Sequence, residues 1–296
     1  MTARNGVAPR SIFGTKRSRN PVVIALASHT LLIVLLIVML YPLLWMVVAS
    51  FRPDNQIFNS LGLWSEKLTL ENYTTGWEAG GSGISFSNFF LNSVLVAVFS
   101  IAGNLVACSL TAYAFARMQF PLKRTMFAIL LATLLLPYQV TLVPQYILFS
   151  DMGWINTYLP LIVPRWLGVD AFFIFLMVQF MRTLPRELDD SARIDGAGHW
   201  TIFARIVLPL ALPALGITAL FTFINSWNDF LGPLLYLNSP DLWTVPQGLA
   251  SFLDATGESS YGGLFAMCTV SLAPLVGFFL VSQRLLVEGL ATTGIK

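Results

Sequence analysis

The chain has 296 residues, of which 56% are apolar and only 11% are charged, whereas soluble domains carry roughly 25% charged residues. The net charge of +2 is too small to indicate a nucleic-acid partner. Two cysteines, Cys108 and Cys268, lie in apolar runs, which predicts buried thiols rather than a disulfide framework. No Cys/His cluster has metal-ligand spacing. Lipid is therefore the predicted solvent for much of this chain.

Six segments are apolar enough, and long enough or nearly so, to cross a bilayer as helices, which takes about 20 residues each. The first resembles a signal peptide because basic residues precede it. Its apolar run is about twice the roughly 7–15 residues of a signal peptide and has no small-residue cleavage site, so we expect a retained anchor. The predicted spans are 22–50, 89–116, 125–148, 157–181, 206–236 and 264–286. The predicted fold class is an all-α polytopic membrane protein with six transmembrane helices.

The distribution of basic residues predicts the orientation. Fourteen of the seventeen Lys and Arg residues fall in the N-terminal tail, in the second and fourth connections, or at the C-terminal end. Because basic residues favour the cytoplasmic side, both termini and the loop 183–205 are predicted to be cytoplasmic. Two long loops, 51–88 and 237–263, are then predicted on the outer side.

The sequence also predicts a division into four regions. They are a basic cytoplasmic tail (1–21), the first transmembrane helix with its outer loop (22–88), a transmembrane core (89–286) and a C-terminal tail (287–296).

Two of the spans contain local features of their own. The second carries small residues at four-residue spacing, which predicts a helix-packing face: Gly103, Ala107 and Thr111. In the fourth, Pro164 and Gly168 interrupt the apolar run, and Asp170 is predicted to cap the helix that follows. Arg165 beside them is predicted to lie at the outer interface or in a cavity.

Charged residues gather in the loop 183–205, between the fourth and fifth spans. Pro185 suits a first helical turn, and the acidic residues after it suit the positive end of a helix dipole. Gly196 supplies a stop, and His199 to Arg205 form a second short helical pattern. A helix at 185–195 is marginal alone in water. It must pack either on this protein's own surface or on a separate cytoplasmic protein, and the pattern does not distinguish the two.

The fifth span has a polar stripe at positions i, i+4, i+7 and i+11 of one helical face: Thr218, Thr222, Asn225 and Asp229. Such a stripe lines a solute pathway, or it forms interhelical hydrogen bonds worth about 0.6–2 kcal/mol each. Pro209 and Pro213 each remove a helical hydrogen bond near the start of this span. They predict either a hinge or a static kink.

Taken together, several stretches resemble the permease subunits of binding-protein-dependent ABC importers. In "DSARIDGA", Asp190, Ser191 and Ala192 stand at the family's Glu-Ala-Ala positions, Gly196 follows, and "FARIVLPLALP" completes the signature. Three further stretches resemble the carbohydrate-uptake branch, in particular the second permease of maltose-type transporters: "AYAFARMQFP", "FINSWNDFLGPLLYLNSPDLWTVPQGLASF" and "QRLLVEGLATTGIK".

The resemblance implies the ABC type-1 importer permease fold in a prokaryotic plasma membrane, with a second permease, two ATPase subunits and an extracytoplasmic sugar-binding protein as partners. It implies that the helix at 185–195 couples the ATPase to the spans, through Glu187, Asp190, Ser191, Ala192, Asp195 and Gly196. The polar stripe would line part of a sugar pathway, and the tail would reach the ATPases. No catalytic residue, metal or cofactor is expected in this chain, which lacks a G-x-x-x-x-G-K-[ST] phosphate loop. ATP would be bound by the partner subunits.

Three alternatives remain open at this point. A permease for a sugar-phosphate or a polyol would share the same motifs. An ion-coupled secondary transporter would need paired ionisable residues at mid-membrane, for which only Arg165, Asp170 and Asp229 are candidates. A membrane enzyme would need a convergent acid/base or metal set, and none is visible in the sequence.

Overall fold

The computed structural model of this chain describes residues 21–58, 62–63, 67–79, 83–253 and 260–293. The predicted N-terminal tail, residues 1–21, falls almost entirely outside them. Secondary structure in these ranges is helical, with no strand, which confirms the predicted all-α class.

Thirteen helices are described in these ranges, some of them short. The first six are α1 (Pro21–Ala49), α2 (Glu71–Ala79), α3 (Phe86–Arg117), α4 (Lys123–Thr133), α5 (Tyr138–Asp151) and α6 (Leu159–Trp166). The remainder are α7 (Ala171–Thr183), α8 (Glu187–Ile194), α9 (His199–Leu210), α10 (Leu212–Trp227), α11 (Leu231–Tyr236), α12 (Val245–Ala250) and α13 (Tyr261–Thr293). Helix α9 includes a π-helical turn at Phe203–Val207.

The chain divides into two compact units, residues 1–46 and residues 47–296. The described part of the first unit is the N-terminal portion of α1, whose apolar side chains are exposed along its length. The second unit contains all the remaining described helices and the described parts of the loops 51–88 and 237–263. The division into four regions remains a prediction. The described parts of the loop 51–88 belong to the second compact unit.

Within the described ranges, four helical segments are each long and apolar enough to cross a membrane: Ile24–Ala49, Phe86–Arg117, Leu159–Thr183 and Tyr261–Gln283. They match the first, second, fourth and sixth predicted spans. The fourth is broken at residues 167–170, between α6 and α7, where the sequence placed an interruption. Helix α13 runs through to Thr293, so the predicted tail begins as a continuation of the last helix.

The third and fifth predicted spans are not single straight helices, and in the fifth the bend lies where Pro209 and Pro213 predicted a hinge or a kink. Each is a pair of helices bent sharply at a short break, by 101° between α4 and α5 and by 74° between α9 and α10. Pro137 stands at the first break in an extended conformation and cannot donate a helical hydrogen bond. At the second, Pro213 lacks the N–H that would bond to the carbonyl of Pro209. The fifth span also ends at Trp227, and residues 231–236 form the separate helix α11.

Helix α3 lies at the centre of the second unit and contacts α6, α7, α10 and α12. Its small-residue face is confirmed as a packing surface. A Cβ atom on Gly103 would lie 2.3 Å from the Trp166 ring of α6, and one on Gly168 would lie 3.7 Å from both Ala107 and Thr111. Two buried clusters surround this helix. One joins its Arg117 end to α7, α8 and α9, and the other joins its Phe86 end to α10, α12 and α13.

Candidate functional site

The charged loop folds as a helix and a turn, as its sequence predicts. The predicted helix at 185–195 is α8, and its first turn holds three acidic residues. Gly196 has a φ of +82°. Its N–H donates to Arg193 O at 3.0 Å, while Ala197 N–H donates to Ala192 O at 2.9 Å. This pair of hydrogen bonds is the Schellman arrangement, which requires a left-handed residue at the helix end and therefore favours glycine.

One face of α8 is buried against this protein. Asp189 Oδ2 lies 3.5 Å from Arg117 Nη1 at the end of α3, and the two side chains are 7% and 2% exposed. Arg117 Nη2 also donates to Leu184 O at 2.9 Å. Ala192, one turn along, is buried beside the same cluster. Leu188, although apolar, is exposed, and the acidic Asp189 lies on the packed face with Ala192.

Neither member of this ion pair was predicted as a site residue. The acidic residues of the loop looked equivalent in sequence, because each suits a first helical turn. One feature of the sequence could have indicated that Asp189 is buried: it lies three residues before Ala192 and so shares a helical face with it. Arg117 ends the second span inside the "AYAFARMQFP" stretch.

The opposite face of α8 is exposed in the described part of the chain. The predicted coupling residues Glu187, Asp190, Ser191 and Asp195 are exposed, and Asp190 pairs only with its neighbour Arg193, at 3.2 Å. The loop also exposes two apolar side chains, Ile194 of α8 at 87% and Trp200 of α9 at 69%. Apolar groups rimmed by charges are typical of a protein-docking surface. The loop thus packs on its own protein with one face and leaves the other open.

A hydrogen bond from α3 also reaches the C-terminal part of the loop, at the start of α9. The Tyr113 hydroxyl donates to His199 O at 3.1 Å, and the Tyr113 ring lies 5.2 Å from that of Phe203. The end of α3 therefore contacts both the entry of the loop and its exit.

The polar stripe of the fifth span separates into two environments. Thr218 and Thr222 are fully buried. Thr218 donates to Ala214 O at 3.0 Å within its own helix, and Thr222 accepts a hydrogen bond from Asn104 Nδ2 of α3 at 2.8 Å. The structure therefore favours the interhelical alternative for Thr222, whereas Thr218 is buried with its hydrogen bond inside its own helix. Asn104, the partner, was not singled out in the sequence.

Asn225 and Asp229 instead line a cavity of about 600 Å³ that has both polar and apolar walls. It is bounded by α4, α5, α6, α7 and the end of α10. Its polar lining also includes Thr133, Tyr138, Thr141, Gln145, Arg165, Asp170 and Tyr236. Such a lining can hydrogen-bond a hydrophilic solute.

The charged groups of this cavity are largely held by neighbours. Arg165 and Asp170 form a direct ion pair. Arg165 lines the cavity, which is one of the two positions predicted for it. Asp170 stands at the N-cap position of α7, but its carboxylate makes no cap hydrogen bond and binds Arg165 instead. Asp229 Oδ1 accepts a hydrogen bond from Gly232 N at 3.0 Å. The cavity therefore has two carboxylates for one guanidinium.

Comparison with known proteins gives a family match over residues 103–292, to the family described as binding-protein-dependent transport system inner membrane component. The chain is 33% identical to the trehalose/maltose transport system permease protein of Thermococcus litoralis, over 89% of this chain and 94% of that protein. It is 35% identical to the sn-glycerol-3-phosphate transport system permease protein of Salmonella typhi, with the same two coverages.

The fold also matches a solved structure. The crystal structure of a bacterial ABC transporter involved in the import of the acidic polysaccharide alginate contains a chain that superposes with a TM-score of 0.79. The two chains are 19% identical, and the match covers 90% of this chain and 98% of that one.

Proposed function

Because this chain belongs to the family of binding-protein-dependent transport system inner membrane components, we propose that it forms one half of a transport pathway, with a second permease as the other half. It is a permease subunit of an ABC sugar importer and a multi-pass protein of the inner membrane. Members of this family are transport components rather than enzymes. The resemblance stated from the sequence is confirmed.

The loop 183–205 is proposed as the coupling site for two cytoplasmic ATPase subunits, which bind and hydrolyse ATP. The observation that carries this proposal is the two-faced character of α8. Its Asp189 face is fixed to α3 by a buried ion pair, and its other face exposes acidic residues together with Ile194. A docked ATPase can move a helix that is fixed in this way, and the spans then move with it.

The cavity lined by Asn225 and Asp229 is proposed as this subunit's share of the sugar pathway. Amide, hydroxyl and carboxylate groups there match the hydroxyl groups of a sugar, and Tyr138 and Tyr236 offer aromatic surface. Thr218 and Thr222 do not line the cavity. Their buried hydrogen bonds stabilise the helix that carries Asn225.

A phosphorylated polyol is the second candidate substrate, since one relative is named for sn-glycerol-3-phosphate. The charges of the cavity favour a neutral sugar. The one guanidinium, on Arg165, is bound to Asp170, and Asp229 adds a further carboxylate. A phosphate would meet like charge at this wall.

Reconstitution of the whole complex in liposomes tests the proposal. We expect uptake of maltose or trehalose that requires ATP and an extracytoplasmic binding protein, with sn-glycerol 3-phosphate taken up poorly. Replacement of Asp229 by Asn should retain sugar uptake and raise the relative uptake of sn-glycerol 3-phosphate, because a like charge is removed. Uptake driven by an ion gradient without ATP would contradict the proposal and favour a secondary transporter.

A further inference from the structure

We propose that α3 is a strut that links the loop 183–205 at one end of the molecule to the outer loop 237–253 at the other, so that movement of either loop is carried to the other along one rigid helix. The inference rests on the proposed function, in which the loop 183–205 meets the ATPase, and it takes the outer loop 237–253 as the contact for the binding protein. It adds the element, and the residues, through which the two ends communicate.

At the Arg117 end, α3 is fixed to the loop 183–205 by three polar contacts. Arg117 pairs with Asp189 and donates to Leu184 O, and Tyr113 donates to His199 O. The ion pair is buried, so water does not screen it as it screens exposed pairs. A displacement of α8 is therefore passed directly to the end of α3.

At the Phe86 end, side chains of α3 hold the backbone of the outer loop. Asn88 Nδ2 donates to Asp241 O at 2.7 Å. Asn92 Nδ2 donates to Asp241 O at 2.8 Å and to Trp243 O at 2.9 Å. Because these bonds are made to backbone carbonyl groups, they hold the loop in place independently of the contacts of its side chains.

Two closer contacts extend this attachment to α12. Ser93 Oγ accepts a hydrogen bond from Val245 N at 2.8 Å, in a buried position. Gly248 lies so near the helix that an added Cβ atom would stand 2.2 Å from the Phe89 ring. Helix α12 therefore has no room to shift independently of α3.

Between these ends α3 is continuous. It has 32 residues, no internal proline and no break, which gives a length of about 48 Å at 1.5 Å per residue. The other described spanning segments each contain a bend, a break or an internal proline. Helices flex at such points, so a displacement fades there, whereas α3 transmits it along its axis.

The test uses the reconstituted complex and compares ATP hydrolysis with and without the binding protein. The binding protein is loaded with maltose, trehalose or sn-glycerol 3-phosphate, whichever supports hydrolysis by the unsubstituted complex. The outer variant is Asn88→Leu with Asn92→Leu. The inner variant is Arg117→Met with Asp189→Leu, which removes both charges and leaves no buried charge unpaired. Tyr113→Phe is a second inner variant that removes a single hydroxyl.

If the two ends act in series, each variant should lower the stimulation by the binding protein about tenfold, a usual size for coupling between sites. The combined inner and outer variant should lose no more than either alone, because one broken link already disconnects the strut. The control is Ser109→Ala, a buried position on the same helix that bonds only within it, to Val106 O. We expect that variant to behave as the unsubstituted complex does.

Two results would overturn the inference. One is normal stimulation in the outer variant or in both inner variants. The other is a combined loss equal to the product of the separate losses, which would mean that the ends act independently. An unsubstituted complex that no loaded binding protein stimulates would instead refute the proposed function, and the inference with it.

Discussion

At the scale of single residues, the loop 183–205 depends on one ion pair and one glycine. Removal of either Arg117 or Asp189 alone would leave a buried charge unpaired, which usually destabilises a protein by about 3–5 kcal/mol. Gly196 has a different role, because it lies in open space and no side chain contacts the position a Cβ would take. Its importance comes from its φ of +82°.

This difference leads to a matched pair of substitutions. Gly196→Val should strain the turn after α8 by about 1–3 kcal/mol, because a β-branched residue disfavours a positive φ. We expect reduced transport and reduced stimulation of ATP hydrolysis by the binding protein. Gly198→Val is the control, since that position is equally open but has a φ of −77°. Equal activity of the two variants would show that the turn geometry does not matter for coupling.

At the scale of elements, the α3–α6 contact shows how glycine brings two helices together. Gly103 lets the Trp166 ring lie against the backbone of α3, and Trp166 Nε1 donates to Phe99 O at 3.1 Å. Small residues allow this approach where lipid provides no hydrophobic drive between helices.

Gly103→Ala should therefore overfill the contact and lower the stability of the complex by about 1–3 kcal/mol, measured as thermal unfolding in detergent. Gly103→Ala combined with Trp166→Leu should recover part of the loss, because the smaller side chain makes room. Gly277→Ala in α13 provides the comparison. No atom stands within 4 Å of its added methyl group, and alanine is favoured over glycine in a helix by roughly 0.5–1 kcal/mol. A loss as large at Gly277 as at Gly103 would argue against the close contact.

The elements also show what the sequence can and cannot predict. Hydropathy located all six apolar segments, because lipid selects for apolar length. Hydropathy does not show the bends after Thr133 and after Leu210, because apolar residues are as compatible with a bent span as with a straight one. Proline could be read equally as a hinge, a kink or a break. The polar stripe holds as a helical face for Thr218, Thr222 and Asn225, but Asp229 lies beyond the end of α10 at Trp227. Only the folded structure shows that Asn104 of α3 meets Thr222.

At the scale of the whole molecule, several features only make sense in a complex. The exposed face of α8 is one. Another is the end of α13, a helix of 33 residues and so about 50 Å long, against a hydrocarbon core of roughly 30 Å. Its last turns must project beyond the bilayer. Residues 294–296 lie outside the described part of the chain.

Truncation after Leu290 tests whether that projecting end has a partner. We expect weaker coupling between ATP hydrolysis and uptake, because the resemblance of "QRLLVEGLATTGIK" implies an insertion of the tail between the ATPase subunits. Expression and membrane insertion should stay normal, since the apolar span ends earlier, at Gln283. Measurements of uptake and ATP hydrolysis at matched expression decide the matter. Full uptake by the truncated permease would mean that the tail has no partner on which coupling depends.

The sharp bend between α4 and α5 has a consequence for the synthesis of the protein. These helices have 11 and 14 residues, so neither reaches the roughly 20 residues that a helix needs to cross the bilayer on its own. Phe127 of α4 is held on one side by Phe115 of α3, and on the other by Phe175 and Arg182 of α7. When residue 151 leaves the ribosome, only the first of these supports exists. We therefore expect α4 and α5 to insert stably into the membrane only after α7 has been synthesised. Nascent chains that stop before residue 171 should be degraded by membrane proteases.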